Sequence, residues 1–174
     1  MSLSMYQASI PVFIRAFDVL SHLLDKAVEH ARTHDLDPVE LLNARLASDM
    51  FTLVGQVQRA SDTAKATAER LSGIPAPRMP DTEATFPELQ ERIAKTVAYL
   101  KSLDAALFEG SEQRTIQLAL RDFSPVFKGD SYLFTFALPN FYFHVTTAYG
   151  ILRHKGVHIG KRDFLGPYPP ASNG

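Results

Sequence analysis

The sequence predicts an all-α domain: a four-helix bundle with one long crossover and a small β-hairpin before the last helix. Three observations carry this expectation. Four long stretches repeat apolar residues at helical spacing, a proline-rich segment (Ile74–Ala84) separates the second from the third, and an alternating run (Thr115–Leu120) precedes the fourth. The chain, residues 1–174, reads as one domain whose tail, 157–174, packs partly back on the bundle.

In the first helix Ile10, Phe13, Phe17, Leu20, Leu24, Ala27 and Ala31 share a face; Ser9 is the expected cap, Pro11 falls in the first turn, and the helix should end near His34. His30 and His34 occupy adjacent turns and read as exposed residues near a helix end, because a metal pair needs further ligands. Asp37-Pro38 starts a short helix through about Asn43. Ser48 is the expected cap of the second long helix, Asp49 to Ser72, with Met50, Leu53, Val57, Ala60, Ala64, Ala68 and Leu71 inward and Gly73 as its stop. Along its border run Asp49, Thr52, Gln56, Arg59 and Thr63, so Asp49 and Gln56 can reach a pocket at one end of the bundle.

Pro75, Pro77 and Pro80 make Ile74–Ala84 an extended crossover. Thr85-Phe-Pro-Glu88 has capping-box spacing and opens a third long helix bearing Leu89, Ile93, Val97, Leu100, Leu103 and Leu107; Glu88, Glu91, Arg92, Lys95 and Lys101 read as its solvated face. The hairpin pairs Thr115–Leu120 with Pro125–Lys128 across a turn containing Arg121 and Asp122. The fourth helix begins near Ser131, should bend at Pro139, which has no backbone N–H, and stops at Gly156. Phe164 and Leu165 are expected to pack back on the bundle before Pro167, Pro169 and Pro170 release the tail.

Composition narrows the function classes. A net charge of −1 with mixed signs argues against nucleic-acid binding. No stretch is apolar enough to span a membrane and no leader is visible, so a cytoplasmic, soluble protein is expected. With no cysteine there are no disulfides, thiolate ligands or cysteine nucleophiles. Walker, nucleophile-elbow, dinucleotide and His-Glu-x-x-His motifs are absent.

The candidate site lies on the fourth helix. His144 falls within its apolar stripe, Asn140 one turn before and Thr147 about one turn after, and a bend at Pro139 would leave room there for water, a ligand or an ion. Phe134, Phe136, Phe141, Tyr142, Phe143 and Tyr149 are too many aromatics for one narrow face, which points to contact with a second copy, a homodimer, or with the tail.

Tyr6–Pro11, Leu42–Leu46, Asp49-Met-Phe, Ala137–Tyr149 and Ile159–Gly166 closely resemble domain-of-unknown-function family nineteen ninety-three, over nearly the whole chain. That family resembles the DinB/YfiT-like four-helix bundles, often dimeric, many of which hold a divalent metal with three histidines; some are thiol-dependent transferases or isomerases. Registering on Leu152-Arg153, the resemblance places Asn140 and His144 at two ligand positions and Asp49 nearest the third. The implied set of Asp49, Asn140 and His144 retains one histidine and suits harder ions better than zinc or nickel.

Three expectations follow: a binding or structural module with a degenerate polar pocket where His144 pairs with Asn140, with room for a small-molecule ligand; a weak divalent-metal enzyme of transferase or hydrolase type using Asp49, Asn140 and His144; or a metal-free enzyme with His144 as general base beside Asp49. Catalytic residues and cofactor are otherwise unassigned.

Overall fold

The computed structural model describes residues 3–119 and 123–167. Its long helices are α1 (Met5–Thr33), α3 (Leu53–Ser72), α4 (Phe86–Lys101) and α6 (Leu138–His154); α2 (Pro38–Leu42), α5 (Gly129–Tyr132) and α7 (Lys161–Leu165) are short. Helix α3 packs against α4 and α6, and α1 packs against the same two from the other side. Between these four helices Phe13, Phe17, Leu20, Leu24, Val57, Ala60, Ala64, Leu89, Leu100, Phe141 and Ala148 are sealed from solvent. The rings of Phe13 and Phe17 meet that of Phe141 edge to face at 4.8 and 5.4 Å. No helix among the described residues is long and apolar enough to cross a membrane.

Local chemistry sets most boundaries. The capping box Thr85/Glu88 opens α4 as expected, Asp37 caps α2, and Gly73, at φ +80°, closes α3. Gly156 adopts φ +88°, Val157 donates back to the Leu152 carbonyl at 3.1 Å and Gly156 to that of Arg153 at 3.2 Å, which satisfies the last carbonyls of α6.

Two caps differ from expectation. Helix α1 starts five residues earlier than a Ser9 cap allows, because Ser4 and Gln7 form a reciprocal capping box; Ser9 is buried and donates to the Met5 carbonyl at 2.6 Å. Helix α3 starts at Leu53, not Asp49, because the Thr52 hydroxyl accepts from Gly55 N–H while residues 44–51 form a turn closed by Leu53 N–H donating to the Ala44 carbonyl at 2.9 Å. Asp49 therefore lies outside the helix. Leu107 likewise falls beyond α4, in a short 3₁₀ turn (Ala105–Phe108).

The hairpin pairs β1 (Thr115–Gln117) antiparallel with β2 (Val126–Lys128), Ile116 opposite Phe127. Leu120, Arg121 and Asp122 lie outside the described residues. Gly129 follows β2 at a point where a Cβ would fall on the Ser111 carbonyl oxygen, so only glycine fits. Between α5 and α6 the backbone widens into a π-helical stretch, Leu133–Ala137, just before Pro139. A proline lacking its donor is thus absorbed in a locally wider turn, and the helical path continues.

Helix α7 docks on α1. Phe164 meets Tyr149 edge to face at 5.6 Å, Arg15 donates to the Leu165 carbonyl at 2.7 Å, and His22 faces Asp163 at 3.2 Å. Phe164 packs as expected, whereas Leu165 remains exposed and is held by its backbone. Pro169 and Pro170 lie outside the described residues.

Candidate functional site

Two rows of polar side chains meet where α3 crosses α6. Gln56, Arg59 and Thr63 lie on successive turns of α3, and Asn140 and His144 on successive turns of α6. Gln56 pairs with His144 and Thr63 with Asn140, so the two helices run antiparallel through the seam.

His144 is buried, and its Nδ1 lies 2.8 Å from Gln56 Oε1. The Gln56 amide is itself oriented, since its Nε2 donates to the Phe51 carbonyl at 3.2 Å. Gln56 must then accept with Oε1, which places the imidazole proton on Nδ1 and leaves the lone pair on Nε2. Among the described residues Nε2 has no hydrogen-bond partner, and it is not fully sealed from solvent. Burial, with the nearby Arg59 charge second, lowers the His144 pKa to about 4. The ring is neutral at physiological pH. Phe143 sits edge-on at 5.3 Å and Phe51 at 6.5 Å, both more than half exposed. Gly55 makes room for Phe51, whose Cβ lies 3.0 Å from where a side chain on Gly55 would begin. Arg59 stands over the Phe51 ring at 6.0 Å.

The expected partnership of His144 with Asn140 does not form. Asn140 Nδ2 donates to Thr63 Oγ1 at 2.9 Å, and that hydroxyl donates to the Arg59 carbonyl at 2.7 Å. Thr147 bonds within its own helix, donating to the Phe143 carbonyl at 2.6 Å. Asp49 sits exposed on the turn before α3. His144 offers one nitrogen, the Asn140 amide nitrogen is engaged with Thr63, and no group of three His, Asp or Glu able to hold an ion occurs among the described residues. His30 and His34, whose rings lie 4.2 Å apart with His158 lining the same hollow, form no such group.

The other face of α3 holds a charged cluster. Arg92 is not on a solvated face: it is 2% exposed and bonds Asp62 at 2.8 Å, Glu83 at 2.9 Å and Asp81 at 3.1 Å. Its alternation with Glu91 and Lys95 in sequence gave no sign of burial, because the crossover that covers it is distant in register. Gln56, Arg59 and Thr63 are legible in the sequence as members of the α3 row, whereas Phe51 carries no signal tying it to His144.

Comparison with known proteins gives three results. The family model described as "Domain of unknown function (DUF1993)" matches residues 5–165. A crystal structure of a DinB family member protein from Shewanella denitrificans is similar at 41% identity, covering 95% of this chain and 93% of that one, with a TM-score of 0.88. No curated protein matches.

Proposed function

From the premise that the chain belongs to the DUF1993 family, we propose that it is a cytoplasmic binding module, a DinB-like four-helix bundle acting as a homodimer. Its degenerate inter-helix polar pocket receives a small molecule at the mouth of His144. The carrying observation is the Phe51–Gln56–His144 chain, which fixes one tautomer with a neutral Nε2 lone pair on a ring that has the exposed Phe51 and Phe143 as neighbours. Such an arrangement accepts a hydrogen bond from a hydroxyl or amine while the rings cover an apolar part of the ligand. A general base with a pKa near 4 is a weak one at neutral pH, which favours binding over proton abstraction. Support for the homodimer is the exposure of Phe51, Phe134, Tyr142 and Phe143.

The test is metal content by mass spectrometry on tag-free protein, with thermal shift on adding manganese, nickel or zinc to wild type and His144→Ala. A binding module shows no stoichiometric metal and no His144-dependent shift. Metal near stoichiometry, with stabilisation lost in His144→Ala, overturns this reading in favour of a metal-dependent enzyme of transferase or hydrolase type built on Asp49, Asn140 and His144. That second reading draws on the free Nε2, held by Gln56 as an outer partner holds a metal-ligating histidine. Sedimentation of wild type against Phe143→Ser tests the dimer.

A further inference from the structure

Residues 74–84 run from the end of α3 to the start of α4, and among the described residues no backbone–backbone hydrogen bond ties them to the rest of the chain. Pro75, Pro77 and Pro80 remove three donors and stiffen the segment. Side chains of the flanking helices hold it instead. Lys65 Nζ donates to the Pro77 carbonyl at 3.4 Å, Arg92 to that of Pro80 at 3.2 Å, and the Tyr99 hydroxyl to that of Ile74 at 2.9 Å.

The segment also contributes two carboxylates to a balanced cluster. Glu83 accepts from Arg92 and from Gln58, each at 2.9 Å. Asp81 faces Arg92 and Arg59, and Asp62 of α3 meets Arg92, Arg59 and Lys65 at 2.8, 3.1 and 3.2 Å. Three cations thus meet three carboxylates. The Asp62 and Asp81 side chains are 35% and 40% exposed, so water and salt reach their carboxylates, whereas the Arg92–Glu83 pair is shielded, at 1% and 11%. Apolar anchoring is slight: Met79 is half-buried, with its sulfur 3.8 Å from the Thr96 hydroxyl. Clefts of about 630 and 560 Å³ flank the segment on its α4 and α3 sides. A segment with no backbone bond to the helices, held largely by side-chain charges of which Asp62 and Asp81 are reached by solvent, and bordered by open space, belongs to the low-stability end of a fold.

Arg59 links this segment to the other face of α3. Its guanidinium pairs with Asp81 and Asp62 and also stands over Phe51, beside His144. We propose that residues 74–84 are an ionically latched strap whose release uncovers the α3–α4 groove and frees Arg59 to act at the His144 mouth. An anionic group arriving at that mouth competes with Asp81 for Arg59, so occupancy and unlatching favour each other. The coupling rests on the binding role of His144; the latch does not.

The experiment compares wild type, the double variant Asp81→Asn/Glu83→Gln, and Glu29→Gln as a charge-removal control away from the strap. Trypsin cleavage after exposed Arg78 and peptide-level hydrogen exchange report strap opening, and the His144 imidazole nitrogen resonances report the coupling. The double variant is expected to be cut after Arg78 about tenfold faster than wild type while α1 and α6 amides keep their protection, and added salt should accelerate cutting of wild type. Cleavage equal to wild type, or rising only in step with loss of α1 protection, overturns the latch. Faster cleavage with unmoved His144 resonances overturns the coupling alone. Because the metal and thermal-shift test of His144 reads neither quantity, failure here is distinguishable from failure of the binding role.

Discussion

The two faces of α3 solve the same problem in opposite ways. Toward α6 it pairs neutral groups, Gln56 with His144 and Thr63 with Asn140, and each donor finds an acceptor. Toward α4 it uses charges: Arg92 is buried among Asp62, Asp81 and Glu83, and its Nε has no partner among the described residues. A neutral seam tolerates loss of one partner at the cost of one desolvated group. A buried ion pair broken on one side leaves an uncompensated charge, which costs more. The neutral seam can therefore lose a partner locally, whereas the charged one holds only while the crossover keeps its carboxylates around Arg92.

The largest expected break in this comparison is Arg92→Met, which strands the Glu83 and Asp62 carboxylates and should destabilise by about 3–5 kcal/mol in urea denaturation. A loss near that of a surface pair would mean that the cluster relaxes into water and that the two faces do not differ. On the neutral side, Gln56→Leu leaves the His144 Nδ1–H without an acceptor and should cost about 1–3 kcal/mol. Adding His144→Phe should recover part of that loss, and a double-mutant cycle measures it.

Acid titration separates the faces again. The folded-state pKa of His144 lies near 4, below its unfolded value, so the unfolded chain binds a proton first and stability falls as pH drops from about 6.5 to about 4. Burial raises the Glu83 pKa, but hydrogen bonds from Gln58 and Arg92 outweigh it and hold the carboxyl below its ordinary value. Its contribution is present above the unfolded pKa and is lost only as pH falls through the lower, folded one. Thermal melts across this range should thus show two losses, the upper one reduced in His144→Gln and the lower one reduced in Glu83→Gln, what remains coming from His30 above and from Glu88 and Asp163 below. A single merged loss in both variants would contradict the assignment. The smallest effect is expected from Asp49→Ala, within about 0.5 kcal/mol and without change at His144, since Asp49 sits on an exposed turn. A larger change, or one that moves the His144 resonances, would bring Asp49 back into the site.

What the sequence by itself determined follows from interactions a few residues long. The Thr85/Glu88 capping box, the Asp37 cap, the stops at Gly73 and Gly156, and the apolar stripes of α1, α3, α4 and α6 are local, so spacing and residue type specify them. Even locally, choices between competing signals were open: Ser4 prevailed over Ser9 because Gln7 completes its box, and Thr52 over Ser48 because the preceding residues close into a turn. His144 was legible as an inward polar residue on an apolar face. Its partner was not, because Asn140, one turn away on the same helix, and Gln56, 88 positions back, are equally plausible until α3 and α6 are set against each other. The tertiary structure alone decided that Arg92 is buried, since its cover is the proline-rich crossover and not its own helix. Periodicity records which face of a helix is apolar, whereas the burial of a charge depends on which distant carboxylates arrive to neutralise it.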